Sequence, residues 1–178
     1  MNTSIVSSSA HSQLNPPMQD ILKFNVDASF DEETNTLGTG VVLHTHAGTC
    51  EGIRGFYSDG ALSLEAGECM AIREALLCAR EKQFTSIHIE ADAKLVVQSI
   101  TDNVLLTRWE NTSILKQIKS LSASFNHCSF SFVSRDDNRV ADEVARSVRE
   151  SSTHINLLNN FSEDICSLLA RDINASST

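Results

Sequence analysis

Four acidic residues stand where an acid is costly. Asp27 lies in the polar row of an otherwise apolar segment, FNVDASF. Glu68 sits on the apolar stripe of AGECMAIREALLCA, Asp92 closes SIHIEAD, and Asp142 lies among small residues in NRVADEVAR. Carboxylates held near apolar surface are unfavourable unless something positive sits between them. Four that converge would make a site for hard divalent cations, which take oxygen ligands. Such a site does metal-assisted chemistry on phosphates.

Each acid also has a plainer reading. Asp27 alone is an exposed strand acid. Glu68 shares a helix face with Ala71, Ile72, Ala75, Leu76 and Ala79, or lies at the edge of that stripe. Glu65, one turn earlier, is its rival, and there a carboxylate also suits the helix dipole. Asp92 precedes a helix and reads equally as its N-cap. Asp142 reads as a solvated acid balanced by Arg139 and Arg146 at helical spacings. The set of four points to chemistry more strongly than any member.

The elements that must carry these acids follow from periodicity. Lys23–Phe30 alternates, with Phe24, Val26, Ala28 and Phe30 on one face, and predicts a strand. Leu37–Thr45 and Thr49–Tyr57 predict two more, joined at Ala47–Gly48. Short turns between them imply an antiparallel meander. A helix is expected over Ala61–Lys82, a buried strand over Ser86–Ala91, and helices over Ala93–Ile100 and Arg108–Ser124. His127–Val133 predicts a fifth strand and Asp137–Glu150 the last main helix. The order βββαβααβα predicts an α/β fold. Its five-stranded mixed sheet is antiparallel over the first three strands, with the last two added parallel. Residues 1–20, polar and carrying Pro16 and Pro17, read as a flexible arm. Residues 21–150 form the domain, and 151–178 a tail with a short helix over Ser162–Arg171, where Ile165, Leu168 and Leu169 recur.

A chain of 178 residues with 41% apolar content suits one domain. Its formal net charge of −9 argues against a strong sequence-independent grip on nucleic acid. The five cysteines are scattered without a CxxC pair, which excludes a zinc knuckle and predicts a reducing, intracellular setting, nucleus and cytoplasm not being separated. No apolar run reaches membrane-spanning length, and no basic start precedes an apolar block, so neither membrane nor secretory signal is expected. His44 and His46 share a strand face but make a weak metal pair. Trp109, the only tryptophan, is expected to pack.

The segments KFNVDASF, TGVVLHTHAG, GECMAIREALLCA, IHIEADAKLVVQSI and VSRDDNRVADEVAR resemble, in that order, the ribonuclease H family. They are most similar to the ribonuclease-H-like domain common in plants and related to retrotransposon reverse transcriptases. The resemblance spans Ile21 to Glu150. It implies that Asp27, Glu68, Asp92 and Asp142 are the catalytic acids and the ligands of two Mg²⁺ or Mn²⁺ ions. The implied activity is hydrolysis of the RNA strand of an RNA–DNA hybrid. Arg135 and Arg139, near Asp142 in the sequence, are candidate phosphate contacts, with a solvated ion pair as the plainer use of each; Ser29 and Asn138 are further candidate substrate contacts, and a monomer is expected. The two ions would sit roughly 4 Å apart, so the four carboxylates should converge within about 10 Å.

The chain departs from the family in four places. No histidine precedes the last acid, and Arg135 stands in that loop. Ala28 replaces the glycine often found after the first acid, and Gly67 the alanine often found before the helix glutamate. A basic, tryptophan-rich protrusion is missing. The acidic balance, the missing protrusion and the missing histidine support a second reading, a nucleic-acid-binding or interaction domain of mobile-element origin with weak or no catalysis.

Overall fold

Hydrophobic alternation builds the sheet and glycines shape it. The computed structural model describes residues 21–157, so the arm over 1–20 and the helix expected over Ser162–Arg171 lie outside the described residues. β1 (Leu22–Asp31) pairs antiparallel with β2 (Thr36–His44), and β2 with β3 (Cys50–Asp59). After α1 (Leu64–Glu81), β4 (Ser86–Ala91) runs parallel to β1. α2 (Lys94–Thr101) and α3 (Thr112–Ser122) lead to β5 (His127–Phe132), parallel to β4. α4 (Arg139–Ser151) follows. The meander, the parallel additions and the element order are those the sequence predicts.

Three details differ. A two-residue strand, β6 (Ile155–Asn156), pairs antiparallel with β3, giving a six-stranded sheet of order β5-β4-β1-β2-β3-β6. It comes from the segment read as tail, and two residues carry no visible alternation. The third helix begins at Thr112 after a 3₁₀ turn at Trp109–Asn111, not at Arg108. The last begins at Arg139 after a 3₁₀ turn at Arg135–Asn138, not at Asp137. In that turn the Ser134 hydroxyl accepts from the Asp137 N–H at 3.3 Å, while the Asn138 side chain is drawn to β1, donating to the Val26 carbonyl at 2.8 Å.

The two faces of the sheet hold separate cores, because adjacent residues of a strand point to opposite sides. Val41 joins Phe24, Ile72, Leu76, Ile89, Val96 and Ile118 under α1, α2 and α3. Val42 joins Ile53, Val144 and Val148 under α4. Small residues set the spacing. Ala71, Ala75 and Ala79 of α1 are fully buried. On the other face Gly38 and Gly40 of β2 lie against the backbone of α4, where a Cβ on Gly38 would collide with the Ala145 carbonyl. The helix therefore rests directly on the strand. Its first turn, which carries Asp142, is set close to the strand that carries Asp27.

Candidate metal centre

The site forms where the sheet splits. The β1–β4 ladder ends at the pair Val26 and Ala91. The next residue on each strand is an acid, Asp27 and Asp92. Glu68 reaches the same point from α1. That helix is fixed at its start by Ser63, whose hydroxyl accepts from the Ala66 N–H at 3.1 Å. One carboxylate oxygen from each of Asp27, Glu68 and Asp92 lies within 4.8 Å of the others.

Asp92 is not the cap of α2: Ala93 holds that position, with no side-chain bond. Its carboxylate is left for the cleft. Glu65 is resolved as well. Its Oε1 accepts from the Arg108 N–H at 2.8 Å and from Asn111 Nδ2 at 2.6 Å, tying down the segment before α3. Glu68, not Glu65, faces the other acids.

Burial makes this cluster uncomfortable. Asp27 is 3% and Glu68 7% exposed, and Asp27 Oδ2 and Glu68 Oε2 have no hydrogen-bond partner. Burial pushes the Asp27 carboxyl up to about 7, Asp92 and Asp142 add to the rise, and the Ala28 N–H, 2.8 Å from Oδ1, opposes it. Glu68 is held well above the usual carboxylate range, by burial first and then by the charges of Asp27 and Asp92. Orphaned buried oxygens, like charges and an all-oxygen donor set fit a hard divalent cation, which would supply the missing partner.

Asp142 stands apart from this group of three. It lies in the first turn of α4, on the opposite face of the sheet from α1, and its Oδ2 accepts from Arg146 Nη2 at 2.5 Å. Its charge still reaches Asp27. The plain sequence reading, an acid balanced one helical turn on by Arg146, therefore describes its present contact.

A cleft of about 520 Å³ opens over the acids, walled by Leu64, Lys94, Leu95 and Arg135 among others. Of the four expected substrate contacts, Arg135 opens onto it, exposed and 3.9 Å from Asp92. Ser29 instead accepts from Arg149 Nε at 2.9 Å. Asn138 is buried, with Nδ2 on the Val26 carbonyl and Oδ1 accepting from Asn25 Nδ2 at 3.3 Å. Arg139 pairs with Asp136 at 3.2 Å and lines a separate hollow with His44. Sequence reasoning missed Lys94, although its place just after Asp92 was the available signal. Trp109 corrects an expectation: it does not pack but stands 76% exposed.

Positions 28 and 67, two of the departures, adjoin one another. A Cβ on Gly67 would collide with Leu37 Cδ1 and stand 3.2 Å from the Ala28 Cβ. Ala28 follows the first acid and Gly67 precedes the second. With no Cβ at Gly67, α1 keeps its close approach to Leu37 and Ala28.

Residues 25–148 match the reverse transcriptase-like family. No curated protein sequence is significantly similar to the chain. Among solved structures, an N-terminal RNase H domain from Mycobacterium tuberculosis, fused to maltose-binding protein, superposes with TM-score 0.68 at 18% identity, over 75% of this chain and 96% of that one. RNase H1 from the archaeon Halobacterium salinarum gives 0.62 at 22% identity, over 75% and 98%. LC11-RNase H1, solved in complex with an RNA/DNA hybrid, gives 0.67 at 15% identity, over 74% and 98%. These identities establish a shared fold. The match along the sequence goes further, and the chain belongs to the reverse transcriptase-like family of ribonuclease-H-fold domains.

Proposed function

We propose that this protein is an endonuclease that hydrolyses the RNA strand of RNA–DNA hybrids, using two Mg²⁺ or Mn²⁺ ions. The observation that carries the reading is the trio Asp27, Glu68 and Asp92, converging at the split of the sheet with orphaned buried oxygens. In this reading those three hold the ions and Asp142 completes the set. The ions would lower the pKa of an attacking water and stabilise the leaving 3′ oxygen. The chain's own residues do the rest. Arg135 and Lys94 stand at the cleft to meet phosphate oxygens, and the Ala28 N–H orients Asp27. The buried stripe of α1 holds Glu68 against its repulsion from the other acids. RNA is distinguished from DNA by its 2′-hydroxyls. The chain acts as a monomer.

A second reading is a nucleic-acid-binding domain without catalysis. The ion pair that holds Asp142 to Arg146 favours it. A labelled hybrid incubated with Mg²⁺ or Mn²⁺ separates the two. Cutting in the RNA strand that leaves 5′-phosphates, and is lost in Asp92→Asn, supports the nuclease. Hybrid binding with no metal-dependent product at high protein concentration leaves the binding domain.

A further inference from the structure

One lip of the cleft carries exposed apolar side chains. Leu62 is 79% exposed, Leu95 52% and Trp109 76%. Single exposed apolar side chains are ordinary. Leu64 and Leu95 wall the acidic cleft, Leu62 is two residues before Leu64, and Trp109, followed by the exposed Glu110, lies between Arg108 and Asn111, both bonded to Glu65, itself a wall residue. The lip is also held in shape. Asn111 is 4% exposed and gives its amide to Glu65, three residues before Glu68 on α1. Trp109 is thus presented at a fixed place beside the acids rather than swinging on a loose loop.

Two cations accompany the apolar groups. Lys94 walls the cleft and Arg108 flanks Trp109, both exposed. Neither makes an ion pair among the described residues. In a chain of net charge −9 such unpaired cations beside an acidic pocket call for an anionic guest.

We infer that this lip, formed by Leu64, Leu95 and Trp109 with Lys94 and Arg108, binds unpaired nucleotides adjoining the cleft. The apolar ledge would take base faces and the two cations the backbone phosphates. A duplex does not satisfy the ledge, because its base faces are covered by their neighbours and it offers only sugar, phosphate and groove edges. An unpaired strand offers both π faces and phosphates, and stacking on an aromatic side chain is tolerant of sequence. The inference rests on the proposed nuclease reading for its orientation. It adds a substrate class: hybrids that carry a single-stranded extension.

The sole tryptophan supplies the probe. The full chain, in EDTA to prevent cutting, is titrated with a blunt RNA–DNA hybrid, the same hybrid with an unpaired extension, and the extension alone. The expected result is quenching of Trp109 emission by the two probes with unpaired bases, and affinity on the order of tenfold higher for the extended hybrid than for the blunt one. Trp109→Ala, its fold checked by circular dichroism, removes that preference, and Trp109→Phe keeps part of it. Equal affinity for blunt and extended hybrids overturns the inference. So does unquenched emission together with self-association that Trp109→Ala abolishes, which would make the lip a protein interface. Cleavage of the wild-type chain's substrates in Mg²⁺ is read separately. Cutting without the preference leaves the nuclease and removes the lip, whereas the preference without cutting leaves the lip and removes the nuclease.

Discussion

Replacing Asp27 by asparagine should make the metal-free protein more stable, and the gain should grow with pH. The folded carboxyl has its pKa raised from 3.8 to about 7, mainly by burial and then by Asp92. Between those two values the folded state binds a proton that the unfolded state has released. The stabilising contribution is complete below pH 4 and is lost as pH rises through 7. A rise of about three units at about 1.4 kcal/mol per unit corresponds to about 4 kcal/mol. Glu68 shares the same repulsion, so its rise must not be added in full. Asparagine keeps the shape and removes the charge, but accepts more weakly from the Ala28 N–H. A net gain of about 2 kcal/mol at pH 8 is expected.

The assay is urea unfolding of wild type and Asp27→Asn in EDTA, from pH 5 to pH 8. The difference between the two proteins isolates Asp27. His44 and His88, both held below the usual histidine value chiefly by burial, act on both proteins alike and in the opposite direction with pH. Mg²⁺ should narrow the gap by stabilising wild type more than the variant. A pH-independent difference, or a variant less stable than wild type at pH 8, would refute the reasoning.

Three further outcomes are expected. Gly67→Ala gains about 1 kcal/mol of helix propensity but displaces Leu37, an overpacking cost of about 1–3 kcal/mol, so it should destabilise modestly. Adding Ala28→Gly should recover part of the loss, and a double-mutant cycle with no coupling refutes the close approach of the two positions. Glu65→Ala should cost about 1–3 kcal/mol by stranding the buried Asn111 amide, read as a lower unfolding midpoint and faster hydrogen exchange over residues 108–111. Arg146→Ala removes a partly exposed pair of about 0.5 kcal/mol, so stability should barely change, while Mn²⁺ affinity by calorimetry should rise as Asp142 is released toward the cluster. An unchanged affinity there would place Asp142 outside the site.

The element order, the parallel and antiparallel pairings and the three acids that cluster, Asp27, Glu68 and Asp92, were legible in the residues alone. These are local matters: alternation in FNVDASF, the alanine stripe of α1, and an acid at the end of each of two apolar strands. Neighbouring strand ends then bring Asp27 and Asp92 together, and the helix stripe aims Glu68 at them. The rest was settled by how the elements pack. Whether Asp142 faces the acids or Arg146 depends on how α4 is seated on Gly38 and Gly40, a contact between residues distant in sequence. The choice between Glu65 and Glu68 depended on a backbone N–H forty-three residues away at Arg108. Asn138, expected as a substrate contact, is instead buried, donating to the Val26 carbonyl and accepting from the Asn25 amide. Trp109 is exposed in a segment whose neighbours, the Arg108 N–H and the Asn111 amide, are tied to Glu65. Periodicity reports which face a residue occupies within its own element. Which group lies opposite that face is settled when the elements pack, since the partner that satisfies or strands a polar atom comes from elsewhere in the chain.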